Sequence, residues 1–537
     1  MKLILNYLLL SSVILFFTQD AEAKRKKQYF NQTQIDIELD ITHPIFSGNF
    51  IEGENNEILV IGIDDQKQKK LVVYGSVKKP EVITEEPSAT KDEPSATKDE
   101  PSATEYEPSA NTAGPSVPTK IAEFNIPSSA VAFDLLTSAD GIEKVLLLDT
   151  RGLSQLNLTN NIIVRLPESQ SIYLNKSPQF VAKKKLVQDL NGDGLDDIFV
   201  TSFEGVTLFL QNKTGEFDRV KLPIEPVVDM TSERISFSET RLFNIDTNFD
   251  QLIDIVVLEQ GVLQIYQQTE KGLFSPLKNL LTLPMQVSAL PWWTLRGADG
   301  ESADQSNLQH RMLETIEDIN GDNIPDIMIR QTKSSGVLDR QNHYEIFYGK
   351  NKEGLLNFDS KANTKISAEG TLSGLQLIDI DADGRKEILV SSFDIGVSQI
   401  IGALLSGSID QDVFVFVLDS NDQYIEDPLF SEEVDLNFSL SSGSTGQPIV
   451  LSADLNGDGI KEIMLSANDR RLAIYRGEKS KKMFRSRAKR HRMSLPQNGS
   501  MVSAVDLNND DRQEIIVHYG KQDEQALRRR VVILSAK

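Results

Sequence analysis

Asp454-Leu-Asn-Gly-Asp-Gly-Ile-Lys-Glu462 runs directly into Ile463-Met-Leu465, and this oxygen-rich turn ahead of an apolar strand decides how the chain is read. The unit recurs as Asp189-Leu-Asn-Gly-Asp-Gly-Leu-Asp-Asp197, Asp246-Thr-Asn-Phe-Asp-Gln-Leu-Ile-Asp254 and Asp318-Ile-Asn-Gly-Asp-Asn-Ile-Pro-Asp326. It recurs again as Asp379-Ile-Asp-Ala-Asp-Gly-Arg-Lys-Glu387 and Asp506-Leu-Asn-Asn-Asp-Asp-Arg-Gln-Glu514. Successive starts lie 57, 72, 61, 75 and 52 residues apart, so the chain is built of repeats. Each loop leads into a strand that is apolar on both faces, such as Ile198 to Val200 or Ile515 to Val517. Strands of that kind belong to sheets covered on each side, as in a propeller blade stacked between neighbours.

Working outward, Glu52-Gly-Glu-Asn-Asn-Glu57 before Ile58 and Ser138-Ala-Asp-Gly-Ile-Glu143 before Val145 read as decayed copies, which brings the units to eight. The C-terminal unit offers three strands, and the alternating segment Gln34 to Ile41 is expected to supply the fourth by pairing the two ends of the chain. Closure of that kind removes exposed sheet edges. The expected fold is all-β: a propeller of about eight four-stranded blades, with seven as the alternative. No amphipathic stretch is long enough for a major helix.

The loop chemistry points to calcium, which takes six to eight oxygen ligands. Side chains at positions 1, 3 and 5 turn inward together, position 7 offers its backbone carbonyl, and position 9 closes the shell. The expected ligand sets are Asp189, Asn191, Asp193, Leu195 and Asp197; Asp246, Asn248, Asp250, Leu252 and Asp254; and Asp318, Asn320, Asp322, Ile324 and Asp326. The remaining three are Asp379, Asp381, Asp383, Arg385 and Glu387; Asp454, Asn456, Asp458, Ile460 and Glu462; and Asp506, Asn508, Asp510, Arg512 and Glu514. All 24 residues at positions 1, 3, 5 and 9 carry side-chain oxygen, 19 of them as carboxylates. Position 6 calls for a left-handed residue: Gly194, Gly384 and Gly459 suit it, Asn323 and Asp511 tolerate it, and Gln251 fits worst. An EF-hand is excluded because position 12, which needs a bidentate Glu, is Val200, Val257, Ile329, Val390, Leu465 or Val517.

The D-x-N-x-D-G-x-x-D loop, the apolar strand after it, and turns such as Asn212-Lys-Thr-Gly-Glu-Phe217 together resemble the FG-GAP/VCBS repeats, a broad group that includes integrin α-subunit propellers. The resemblance covers about Gln34 to Lys537 apart from one insertion. It implies a propeller with calcium in its hairpin loops. The Phe-Gly and Gly-Ala-Pro signatures survive only as echoes, Phe203-Glu-Gly205 and Phe393-Asp-Ile-Gly396, so integrin-like ligand binding does not carry over. Members of the group range from adhesins to carbohydrate-active enzymes.

Lys2, an apolar run from Leu3 to Phe17 and Ala21-Glu22-Ala23 read as a signal peptide over residues 1–23, with Lys24-Arg25-Lys26-Lys27 as the feature that argues against cleavage. The run is too short for a stable membrane span. The chain is therefore expected to be exported, to the periplasm, the cell surface or beyond. Residues 34–79 hold the first propeller strands and blade. Residues 80–118, with Glu86-Pro87-Ser88-Ala89-Thr90-Lys91-Asp92 repeated every seven residues, read as a disordered insertion. Residues 119–537 form the rest of the propeller. Cysteine is absent, so disulfides, thiolate metal sites and a lipid-modified N-terminal Cys are excluded.

The formal charge of −23 repels nucleic acid and anionic lipid over most of the surface, and six Ca²⁺ would bring it to −11. Against that background Lys479 to Arg492 holds eight Lys/Arg in 14 residues, a candidate surface for an anionic polymer that otherwise reads as a solvated hairpin. Trp292-Trp293 in the insertion between Asp254 and Asp318 either stacks on sugar or anchors the insertion. The five histidines show no H-E-x-x-H spacing, and there is no G-x-S-x-G elbow or phosphate loop. No catalytic residue and no cofactor besides Ca²⁺ is assigned. The functional expectation is a binding, adhesion or scaffolding module for a protein or glycan ligand. The alternative is a calcium-dependent polysaccharide lyase or hydrolase.

Overall fold

The computed structural model describes residues 29–537 except 52–56, 76–117, 168, 174–179, 232, 298–299, 303, 305, 337–338, 394–407 and 440–443. The segment expected to be a signal peptide, nearly all of the Pro/Ser/Ala/Thr tract and most of the decayed loop before Glu57 lie outside the described residues.

Eight antiparallel sheets follow one another along the chain, each with four principal strands. The first is built on Glu57–Ile63 and Lys69–Gly75, the second on Glu143–Asp149 and Gly152–Asn157, the third on Asp197–Ser202 and Gly205–Gln211. The fourth is built on Asp254–Glu259 and Val262–Gln268, the fifth on Asp326–Gly336 and Asp339–Phe347, the sixth on Glu387–Phe393 and Ser408–Phe416. The seventh is built on Glu462–Asn468 and Arg471–Tyr475. In the eighth, Phe30–Asp36 pairs antiparallel with Arg530–Ala536, with Ile35 opposite Val531, so the two ends of the chain share one sheet. The closing strand starts four residues earlier than the alternation from Gln34 suggests. Asp40–Ile41 at the end of that segment pairs with Glu57–Ile63 of the first sheet instead.

The apolar residues sort into eight clusters, each lying between two consecutive sheets. Leu59, Val73, Phe133 and Leu147 join the first sheet to the second. The series continues round to Val60, Val72, Ile516 and Ile533, which join the eighth to the first. Eight sheets with eight mutual interfaces close a ring, and the molecule is an eight-bladed β-propeller. The doubly buried strands explain themselves in this arrangement: Ile463 faces the cluster shared with the sixth blade and Met464 the one shared with the eighth. Among the described residues the only helical turns are Trp292–Thr294 and Gly499–Met501, and no helix is long and apolar enough to cross a membrane. Two small ribbons stand outside the blades, Val227–Met230 with Ile235–Ser238 and Lys350–Lys352 with Leu355–Asn357.

Candidate metal loops and basic edge

In blades three to eight the repeated loop joins the first strand to the second, and position 9 is the first residue of the second strand. The same hydrogen-bond wiring recurs. The position-1 carboxylate accepts the amide of position 6, as from Gly194 to Asp189 at 2.9 Å, Gln251 to Asp246 at 2.8 Å and Gly384 to Asp379 at 3.1 Å. The position-5 carboxylate accepts the amide of position 7 in all six loops, at 2.8 to 3.0 Å. In three of the loops the position-3 side-chain amide also bonds the position-5 carboxylate, from Asn191 to Asp193 at 3.3 Å, Asn248 to Asp250 at 2.8 Å and Asn320 to Asp322 at 3.2 Å, while the backbone carbonyl of position 7 is not consumed by these bonds. Arg385, the bulkiest position-7 residue with Arg512, swings its guanidinium away to the carbonyl of Asp419 and the carboxylate of Asp422, both at 2.7 Å.

Two left-handed residues make the turn. Position 6 has φ of +82° at Gly194, +88° at Gly384 and +81° at Gly459, and Gln251 adopts +70° despite its side chain. Position 4 is left-handed as well, at Gly192, Phe249, Gly321, Ala382, Gly457 and Asn509, a requirement the sequence pattern did not disclose because only half of these are glycine.

Position 9 has a role that needs no metal. Asp197, Asp254 and Asp326 are fully buried, and each accepts the amide of loop position 2 with one oxygen. The other oxygen takes the amide of Gln211, Gln268 or Gly349, at the end of the third strand. Glu387, Glu462 and Glu514 likewise accept the amides of Ile380, Leu455 and Leu507. The first blade keeps the device without the loop residues, since buried Glu57 accepts the amide of Phe50 at 2.8 Å. Glu143 also heads the second strand of its blade, the second, but its Oε2 is buried without a hydrogen-bond partner. The longer Glu side chains leave their second oxygen differently placed. In the sixth blade Asp379, Asp381 and Glu387 bring carboxylate oxygens within 4.8 Å of one another, the one such trio among the described residues. Oδ1 of Asp381 is buried there without a hydrogen-bond partner.

Burial without a counter-ion shifts these acids. Removal from water pushes Asp197 and Asp326 up to about 7 and Glu387 up to about 8, with the neighbouring loop carboxylates adding to the rise. Asp254, Glu462, Glu514 and Asp381 are raised for the same reason. An opposite charge beside these groups would favour their ionised form.

Elsewhere, Trp292 and Trp293 meet edge to face at 5.6 Å, and their faces carry Arg340 at 4.9 Å and Arg330 at 5.7 Å. The guanidiniums pin the insertion to the fifth blade, although Trp293 remains 52% exposed. Among the histidines, His43 and His310 bond backbone oxygens of Val181 and Leu290, while His491 and His518 are buried with no hydrogen-bond partner on either ring nitrogen. The basic run is an ordered edge. Lys489–Arg492 is the outermost strand of the seventh blade, and Met483 and Phe484 sink into the core between blades six and seven.

Residues 454–517, from the loop of the seventh blade into the second strand of the eighth, match the sequence profile of the FG-GAP-like repeat. The molecule is a β-propeller consistent with repeats of that kind. No curated protein matches the chain. Among solved structures it is similar to an Agrocybe aegerita lectin described as recognising non-reducing terminal N-acetylglucosamine. Identity is 13% over 90% of this chain and 95% of the other, with a TM-score of 0.37. It is also similar to a Bacteroides fragilis chain described as a candidate 6-phosphogluconolactonase, at 10% identity over 85% and 96%, TM-score 0.31. Likenesses at this level carry no argument about this chain.

Proposed function

We propose that the protein is a binding or scaffolding module, an exported propeller whose loops in blades three to eight take up Ca²⁺ for stiffness rather than for chemistry. The observation that carries the reading is the sixth-blade loop, where Asp379, Asp381 and Glu387 converge and a buried carboxylate oxygen of Asp381 has no partner. An acid in that state is costly unless a cation joins it. The repeated wiring of the other loops extends the reading to Asp189, Asp246, Asp318, Asp454 and Asp506, and Ala21-Glu22-Ala23 supports export. Calcium binds the folded chain selectively, so it stabilises the ring by mass action. Affinity on the order of 10⁻⁴ to 10⁻³ M suits an extracellular module.

Isothermal titration of EGTA-stripped protein with Ca²⁺ tests this. The wild type is expected to take up several ions, and Asp379→Ala/Asp381→Ala to take up one fewer with its fold intact. Titration without heat or saturable uptake in the wild type would sink the proposal.

A further inference from the structure

We propose that the outer edge of the seventh blade is a docking surface for a linear acidic polysaccharide. The inference builds on the reading of the chain as a binding module and gives that module a ligand class. Lys479, Lys481, Lys482, Arg485, Arg487, Lys489, Arg490 and Arg492 are all exposed, and the run from 479 to 492 contains no Asp or Glu. Only Arg485 has an ion-pair partner, Glu478; the other seven have none among the described residues.

Two features separate this run from a solvated loop. The first is order. Met483 and Phe484 are 6% and 5% exposed, Phe484 meets Phe430 at 5.2 Å, and Lys489–Arg492 is paired along its length with Arg471–Tyr475. The backbone that carries the charges is therefore held in place, and a ligand need order only their side chains. The second is unrelieved repulsion. Arg492 lies directly opposite Arg471, with Arg490 two residues along on the same face, an arrangement that is destabilising without an anion between the guanidiniums.

The surroundings select among polyanions. Nucleic acid bound as a single strand needs exposed rings for its bases to stack on. Here Phe484 and His491 are buried, and Tyr29 is covered by the ammonium of Lys489 at 5.0 Å. An anionic bilayer needs apolar residues that dip below the headgroups, and none of the exposed large hydrophobic residues falls between 479 and 492. A chain of uronate or sulfate groups needs only spaced cations, which the edge strand and its hairpin supply. The net charge of −23 does not forbid the contact, because at physiological salt charges beyond about 8 Å are screened.

The test uses the full chain in Ca²⁺, with immobilised heparin and polygalacturonate as probes and poly-dT and phosphatidylglycerol vesicles alongside. Expected are saturable binding to at least one polysaccharide and a loss of about tenfold or more when salt rises from about 0.05 to about 0.3 M. A similar loss is expected in Lys489→Gln/Arg490→Gln/Arg492→Gln. Lys479→Gln/Lys481→Gln/Lys482→Gln provides a second variant on the hairpin should the first lower the melting temperature. Absent binding, or binding undiminished in both variants, overturns the surface. Equal or tighter binding to poly-dT or vesicles overturns the ligand class. The readout does not involve the metal loops, so its failure leaves the calcium reading standing, and a calcium-insensitive melt leaves this surface standing.

Discussion

At position 251 a glutamine holds a backbone conformation that glycine holds at the matching place in three sister loops, with φ of +70°. Left-handed backbone costs a side-chain-bearing residue roughly 1 kcal/mol, and the amide bond from Gln251 to Asp246 at 2.8 Å keeps it there. Gln251→Gly is therefore expected to stabilise the protein by up to about 1 kcal/mol, less the entropy glycine loses on folding, and to leave calcium uptake unchanged; a lower denaturant midpoint would contradict this. In the sixth-blade loop Asp381→Asn keeps the shape and removes one charge. Calcium affinity at that site should fall while the metal-free melting temperature holds or rises, since a half-buried carboxylate whose Oδ1 has no partner has been neutralised. The residue scale is also where the sequence was hardest to read. Glycine marked position 6, but position 4 is filled by Phe249, Ala382 and Asn509 as often as by glycine, so its left-handed turn was invisible. Side-chain oxygen at position 9 looked like a metal signature, yet Glu57 shows that the same acid caps a backbone amide in a blade that lacks the loop's other carboxylates.

The element that matters is the loop with the strand it feeds, and its electrostatics set a pH dependence. In the unfolded chain carboxyls titrate near 4. In the metal-free fold, burial holds Asp197 and Asp326 at about 7 and Glu387 at about 8. Between those values the unfolded state has released protons that the folded state still binds, so stability from these groups is full below about pH 4 and lost as pH rises to 7 or 8. Thermal melts in EGTA should therefore fall between pH 5 and pH 8, and millimolar Ca²⁺, which favours the ionised form, should flatten or reverse the trend. A metal-free melting temperature that climbs over this window would count against the account. The strands were legible at this scale because an apolar run such as Ile515 to Val517 after a turn has one reading in a stacked blade. The ribbon Val227–Met230 with Ile235–Ser238 was not, since its residues alternate without a buried face.

At the scale of the molecule, the ring depends on one seam joining residues nearly 500 positions apart. Phe30 is fully buried in the cluster between blades seven and eight, packed among Met464, Tyr519 and Leu534. Phe30→Ala should cost about 3 to 5 kcal/mol, read as a lowered denaturant midpoint, and a variant within 1 kcal/mol of wild type would mean the seam is not closed in solution. The eight-fold count was legible because repeats and decayed copies preserve a loop, a strand and an acid even where ligand residues are lost. The exact closing register was not, because an alternating segment from Gln34 to Ile41 serves two blades and only packing decides where it divides. The proposal gives the six loops one purpose in this ring, the uptake of calcium. Differential scanning calorimetry of the full chain at pH 7.5, in EGTA and then in 5 mM Ca²⁺ at matched ionic strength, tests that claim most directly. The melting temperature should stand several degrees higher with calcium and rise with its concentration; superimposable melts would mean that the loops do not hold the ion.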